Sequence, residues 1–240
     1  MSGRVAVVTG GSRGIGAAVT SAFVTRGADV VICGRFQDSL RDARTRVLGD
    51  AGGTTSAGRV ETIRADLRDP SEAQQVIAHA ERCFGGLDIL VNNAGVGRFG
   101  HLADQPAEDW LEVVETNLNG VFYCCKAAIP LLRRRGGGWI INVSSLAGSH
   151  PFAGGTAYCA SKAGVDAVSH ALMQEVRHEN IRVSCVAPGS VDTGFADTPA
   201  RDPSWKLTAD DVAQAIIDLL LHDPRSLPSR VELRPARPRQ

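Results

Sequence analysis

Net charge is missing from this chain: 26 lysines and arginines balance 26 aspartates and glutamates over 240 residues. No global field is therefore expected to draw it to nucleic acid or an anionic membrane surface. Long apolar runs are missing too, since no stretch approaches the ~18 residues that span a bilayer. Met1 leads almost directly into a β-like segment, without the basic start, apolar centre and small-residue cleavage site of a secretory leader. The six cysteines (Cys33, Cys83, Cys124, Cys125, Cys159 and Cys185) form no C-x-x-C pair and no His/Cys metal spacing. Most sit in apolar runs, where a thiol behaves as a small hydrophobe. Free thiols, no bound metal and a soluble, cytoplasmic protein are expected. No Pro/Ser-rich linker and no repeat on the ~20–50-residue scale interrupts the chain, so residues 1–240 read as one domain. Aromatic residues are scarce as well, at 5%, and only two are tyrosines.

What is present is a recurrent alternation. Short β-branched runs occur at Arg4 to Thr9, Asp29 to Cys33, Val60 to Ala65, Leu87 to Asn92, Trp139 to Ser144, Ile181 to Ala187 and Arg230 to Arg234. Between them apolar residues are spaced by three and four, as at Ala73, Val76, Ile77 and Ala80, which predicts helices. Strand and helix in repeated succession predict parallel βαβ units with right-handed crossovers. Near-continuous Val/Ile/Leu strands imply a sheet covered on both faces. The expected fold is α/β: a single doubly wound Rossmann-type domain, its parallel sheet of about seven strands flanked by helices on both faces. Gly49 to Gly58 reads as a surface loop, and residues 235–240 read as a disordered tail. Arg133-Arg134-Arg135 reads as a solvated helix end, with docking of an acidic carrier protein as the alternative.

The first strand runs into Thr9-Gly10-Gly11-Ser12-Arg13-Gly14-Ile15-Gly16, followed by a helical pattern. Glycines there permit a tight turn and close backbone approach, and the helix N-terminus can meet a pyrophosphate. Their spacing, G-x-x-x-G-x-G, departs from G-x-G-x-x-G. The second strand lacks the terminal carboxylate that would hold the ribose hydroxyls of NAD, and ends instead in Cys33-Gly34-Arg35. A guanidinium matches a 2′-phosphate, so Arg35, with Arg13 in the turn, argues for NADP(H) over NAD(H). Asp66, closing the third strand, could accept from the adenine amino group or cap a helix. In TAYCASK, Tyr158 stands four residues ahead of Lys162. On a helix the two share a face with ~5–6 Å between Cβ atoms. An ammonium beside a phenol favours the phenolate.

Taken with Asn92-Asn93-Ala94-Gly95 after the fourth strand, Asn117 in TNLNG and Ser144-Ser145 after the fifth, these motifs resemble those of the short-chain dehydrogenases/reductases. Within that family the chain is most similar to the NADPH-dependent 3-oxoacyl-(acyl-carrier-protein) reductases, from about Arg4 to Thr193. The resemblance implies an oxidoreductase that reduces a carbonyl, whether a 3-oxoacyl thioester or a related ketone or aldehyde, by hydride transfer from NADPH. It implies Tyr158 as general acid, with Lys162 bonding the nicotinamide ribose and lowering the phenol's pKa. It implies Ser145 as the group that polarises the carbonyl, and Asn117 as holder of a relay water behind the lysine. The cofactor would lie against Gly10, Ser12, Arg13, Gly14, Ile15, Gly16, Arg35 and Asp66, then Asn93, Ala94 and Gly95, then Tyr158 and Lys162, and finally Pro188, Gly189, Val191 and Thr193. A homo-oligomer, dimer or tetramer, through helices at roughly Ala107 to Arg134 and Tyr158 to His178 is implied too. An alcohol dehydrogenase working oxidatively and a non-catalytic NADP(H) sensor are the alternatives, though a sensor would commonly lack the tyrosine or lysine kept here.

Two departures bear on the substrate. The chain ends in RVELRPARPRQ rather than in the family's glycine-rich interface segment. The variable stretch from Gly194 to Leu207, where the family places its substrate cover, is short. A short cover suggests an open pocket that takes bulky or carrier-bound substrates. His150 is a possible substrate neighbour, and Cys159 reads as packing.

Overall fold

The structure is a computed structural model that describes residues 1–52, 57–195 and 202–237. Seven strands form one sheet: β1 Val5–Thr9, β2 Asp29–Gly34, β3 Val60–Arg64, β4 Ile89–Asn92, β5 Gly138–Val143, β6 Ile181–Pro188 and β7 Arg230–Leu233. They are hydrogen-bonded in the order β3-β2-β1-β4-β5-β6-β7, every neighbouring pair parallel. All seven fall where the β-branched runs lie. The order reverses between β1 and β4, and such a switch point opens the crevice in which doubly wound sheets bind ligands.

Side-chain alternation along each strand builds two separate cores. Val5 and Val7 of β1 join Leu87, Leu90 and Ile140 beneath α3 (Pro70–Phe84), α5 (Gly120–Arg134) and α6 (Thr156–Val176). Ala6 and Val8 point the other way, with Val30, Ile32 and Ile141, beneath α1 (Gly14–Thr25), α2 (Gln37–Ala51) and α7 (Ala209–Leu220). Burial on both faces explains why the central strands β1, β4 and β5 carry polar residues only near their C-terminal ends.

Several boundaries differ from the sequence expectation. α2 runs to Ala51, so the loop expected from Gly49 begins only at Gly52, and residues 53–56 lie outside the described residues. The expected long helix from Ala107 is three pieces: α4 Ala107–Val114, a π turn Glu115–Asn119, and α5. The tail is partly held, because Arg234 pairs with Glu232 and the Pro235 ring lies 3.3 Å from where a Cβ on Gly189 would stand. Residues 238–240 lie outside the described residues. The arginine run is not a free cationic patch. Arg133 pairs with Glu179, Arg134 with Glu81, and Arg135 with Asp88 at 2.9 Å. The run closes α5 just before β5 begins, at the opposite end of the strands from the crevice. The run is thus ion-paired and stands at the end of the sheet away from the crevice.

Candidate active site

The cleft forms where β1 and β4 separate. Gly10 has φ +65°, a backbone that favours glycine, and a Cβ there would meet the Ala94 Cα at 2.9 Å. A Cβ on Gly16 would stand 2.2 Å from the Gly10 carbonyl oxygen, so helix α1 can seat itself on the turn only through glycine. The two halves of the switch point are tied by side chains. Asn93 Nδ2 donates to the carbonyls of Thr9 (2.9 Å) and Gly10 (3.2 Å), while the amides of Asn93 and Ala94 both donate to Thr9 Oγ1 at 2.9 and 3.0 Å. Thr9 was not singled out from the sequence; the signal available was a hydroxyl at the end of an otherwise apolar strand.

The first turn of α1 has no side-chain cap and no acidic residue, whereas α3 is capped by Asp69 and α7 by the Thr208/Asp211 capping box. Uncapped N–H donors with the positive helix end make a site for an anion. Ser12, Arg13, Gly14 and Ile15 line it, and Thr193 comes from the far side, its Cβ 3.1 Å from a Cβ built on Gly14. Around the corner lie Arg35 and Asp66. Arg35 bonds Glu112 Oε1 at 3.0 Å through one nitrogen and keeps 39% of its side chain exposed. Asp66 grips Arg68 at 2.6 Å, and that bond, outweighing some desolvation, holds its carboxyl below the usual range. The helix-cap alternative for Asp66 fails, because Asp69 caps α3. A glycine seat, an uncapped helix start and an exposed guanidinium fit a phosphorylated dinucleotide.

At the other end of the same cleft stand Ser145, Tyr158 and Lys162, with Asn93, Ala94, Gly95, Pro188, Gly189 and Val191 completing the lining. Tyr158 and Lys162 lie one turn apart on α6, with Nζ 5.7 Å from the phenol ring centroid. Lys162 is 5% exposed, and its Nζ donates to the Val143 carbonyl at 2.8 Å. Burial pushes this lysine down to about 8. Burial pushes the Tyr158 phenol up, and the adjacent Ser145 hydroxyl opposes it. The expected lowering of the phenol by Lys162 does not appear in this geometry, where the only opposing influence is the Ser145 hydroxyl. Ser145 caps a short turn by accepting from the Ala147 amide at 3.2 Å, and donates to the Pro188 carbonyl at 3.4 Å, which aims its hydroxyl along the cleft. Neighbouring Ser144 instead bonds the Lys162 carbonyl at 3.2 Å and is buried.

Asn117 is fully buried inside the π turn. Its carboxamide accepts from the Val96 amide (2.8 Å) and donates to the Val96 carbonyl (2.9 Å) and Ser161 Oγ (3.1 Å). The side chain thus fixes the β4 loop. It borders the space behind Lys162, since a Cβ on Gly95 would lie 3.2 Å from Asn117 Oδ1 and 3.7 Å from Nζ. Three further residues escaped the sequence reading: Phe99, Phe152 and Phe195, whose rings gather beside Tyr158. Phe195 opens the short Gly194 to Leu207 stretch, of which residues 196–201 lie outside the described residues. His150 is exposed on the loop before α6, with its amide bonded to the Leu146 carbonyl at 2.8 Å.

Comparison with known proteins agrees with this geometry. The family description "short chain dehydrogenase" matches residues 4–203. An oxidoreductase of Staphylococcus aureus (strain N315) is 30% identical over 98% of each chain. A 3-oxoacyl-(acyl-carrier-protein) reductase, FabG, of Chlamydia muridarum is 37% identical over 79% of this chain and 75% of its own. An alcohol dehydrogenase of the archaeon Thermococcus sibiricus, solved with 5-hydroxy-NADP, superposes with a TM-score of 0.88 at 27% identity, covering 99% of both chains. A metagenomic short-chain oxidoreductase solved with NADP gives 0.84 at 34% identity, again over 99% of both. With its family match, its switch-point cleft and its tyrosine–lysine pair, the chain belongs to the short-chain dehydrogenases/reductases and is an oxidoreductase of that family.

Proposed function

We propose that this protein reduces the carbonyl of a ketone or aldehyde, 3-oxoacyl thioesters among them, to an alcohol with NADPH as hydride donor. The observation that carries the reading is the convergence of the Ser145 hydroxyl, the Tyr158 phenol and the buried Lys162 ammonium at one end of a cleft whose other end presents Arg35 and Arg13. The NADP-bound relatives support the cofactor choice.

When bound, the reduced nicotinamide supplies the hydride to the carbonyl carbon. Charge then develops on the carbonyl oxygen, and Ser145 and Tyr158 are the donors placed to meet it; such donors are worth ~2.7–4 kcal/mol each. Tyr158 passes its hydroxyl proton to that oxygen. Lys162 would hold the ribose and offset the phenolate left behind, and Asn117 would border the route by which that phenolate is reprotonated. Pro188, Gly189, Val191 and Thr193, which line the same cleft, would hold the nicotinamide end of the cofactor.

The Thermococcus sibiricus alcohol dehydrogenase favours a second reading, the same chemistry run oxidatively. The ratio of ketone reduction to alcohol oxidation at equal saturation decides between them. Tyr158→Phe is expected to lower kcat by at least ~100-fold, the contribution of a positioned acid, while NADPH still binds. Turnover retained in that variant would remove Tyr158 from its role. Homo-oligomerisation through α4, α5 and α6 belongs to the same reading.

A further inference from the structure

Hydride transfer does not account for the rings around the catalytic phenol. Phe99, Phe152 and Phe195 are 49%, 49% and 39% exposed in a chain otherwise poor in aromatics. The Phe99 ring lies 5.7 Å from that of Tyr158 at 66°, Phe195 lies 5.7 Å from it at 53°, and Phe152 lies 6.0 Å from Phe99. Each ring is seated against a glycine. A Cβ on Gly97 would fall 2.7 Å from the Phe99 ring and 2.9 Å from that of Phe195, and one on Gly155 would fall 2.6 Å from Phe152. A backbone bond from the Gly100 amide to the Gly154 carbonyl, 2.9 Å, ties the loop of Phe99 to the loop of Phe152. The phenyl groups are thus held from behind and open in front.

Charge is scarce on this wall among the described residues. Among the described residues that line the cleft beside Tyr158, Val96, Ser145, Val191 and Phe195 are uncharged, and the one cation, Lys162, is buried on the Val143 carbonyl. Arg98, next to Phe99, turns its guanidinium to Glu112 at 2.8 Å and Asp109 at 3.6 Å. The paired arginines of the 133–135 run stand at the far end of the sheet.

Resting on the carbonyl-reductase reading above, we propose that these phenylalanines form a binding surface for an aryl group, and that the substrate is a compact, uncharged ketone or aldehyde bearing an aromatic ring on its carbonyl carbon. Rings prefer edge-to-face and offset partners with centroids ~4.5–7 Å apart, so a substrate ring extends a set of contacts already built. A saturated ring of the same size buries similar area but lacks the quadrupole that makes those contacts. A protein laid over the rings would seal the phenol they touch, which is why the surface is assigned to substrate.

The test compares acetophenone with cyclohexyl methyl ketone, matched in carbon count. With NADPH, kcat/KM for acetophenone should exceed that for the saturated ketone by roughly tenfold. Phe99→Leu and Phe195→Leu should each bring the ratio toward one without changing the NADPH Kd read by tryptophan fluorescence. A wild-type ratio near one, or a ratio that neither substitution moves, overturns the proposal. If the ratio stays and Phe99→Leu instead changes the mass in solution, the rings belong to a contact between copies and the proposal is equally overturned. Calorimetric binding of both ketones to Tyr158→Phe loaded with NADP+ separates this inference from the one beneath it. Tighter acetophenone binding with no wild-type turnover of either ketone would defeat the reductase reading and leave the aryl surface standing. Equal binding beside intact turnover would do the reverse.

Discussion

In the proposed reading a single arginine carries the cofactor preference, and its surroundings bear on how it would do so. Arg35 follows the last residue of β2 and spends one nitrogen on Glu112, leaving the rest of its planar fork toward the cleft. Glu112 is itself shared with Arg98, and although desolvation alone would raise its pKa, bonds from the two arginines keep it below the ordinary glutamate range. It therefore stays ionised and anchors the guanidinium. Charge-assisted bonds to a phosphate contribute ~1.5–3 kcal/mol, so Arg35→Asp should raise the NADPH KM by roughly 10- to 100-fold and leave the NADH KM nearly unchanged. An unaltered NADPH/NADH ratio would assign the 2′-phosphate to another cation, with Arg13 next in reach of the cleft. Arg35 was legible from the sequence because the position follows the strand by one residue. Glu112 was not, because it stands 77 residues away along the chain.

At the level of elements, the break between α4 and α5 decides where Asn117 points. A π turn admits one extra residue per turn and shifts the helix face. Here it turns Asn117 inward to the β4 loop, while Gly120 lets the helix pass Leu67, whose Cβ would be 3.2 Å from a Cβ at that position. Periodicity over Ala107 to Arg134 registers as one helix, since apolar spacing is nearly the same before and after the turn. The outward faces of these helices bear on assembly. Leu111 and Phe122 are about half exposed, and α6 turns out only small or polar residues such as Ala163, Ala167 and His170. Such a face allows close approach by a second copy. Light scattering should report more than one chain, and Phe122→Lys should shift it toward the monomer; a wild-type mass of 25.3 kDa would dismiss the assembly.

Across the whole molecule, the two ends of the sheet are built for different purposes. The C-terminal end holds the cleft, and the N-terminal end is locked by charge. Asp88, 4% exposed, accepts from the Val5 amide at 2.8 Å, from Arg135 at 2.9 Å and from Arg4 at 3.3 Å, joining β1, β4 and the end of α5. Burial alone would raise its pKa, but the bonds from Arg135 and Val5 and the charges of Arg135 and Arg4 more than offset this and hold it low. An acid whose folded pKa lies below the unfolded ~3.9 stabilises the fold above that value and loses the contribution as pH falls through the folded one. Asp88→Asn should therefore cost roughly 1–3 kcal/mol at pH 7 and make the acid loss of stability below about pH 4 shallower. Urea midpoints across that range would show it, and parallel profiles for the two proteins would refute the assignment.

The sequence by itself determined the order of strands and helices, the glycine turn, the arginine after β2 and the serine, asparagine, tyrosine and lysine of the site. The elements, the glycine turn, the Tyr158/Lys162 pair and Arg35 are written in local runs and spacings, whereas Ser145 and Asn117 were named only through the family resemblance. Tertiary structure alone decided the upward push on the phenol, the Glu112 anchor, the neutralisation of the arginine run and the gathering of Phe99, Phe152 and Phe195. Those depend on desolvation and on partners brought together from distant positions, and neither quantity exists until the sheet has closed its two layers.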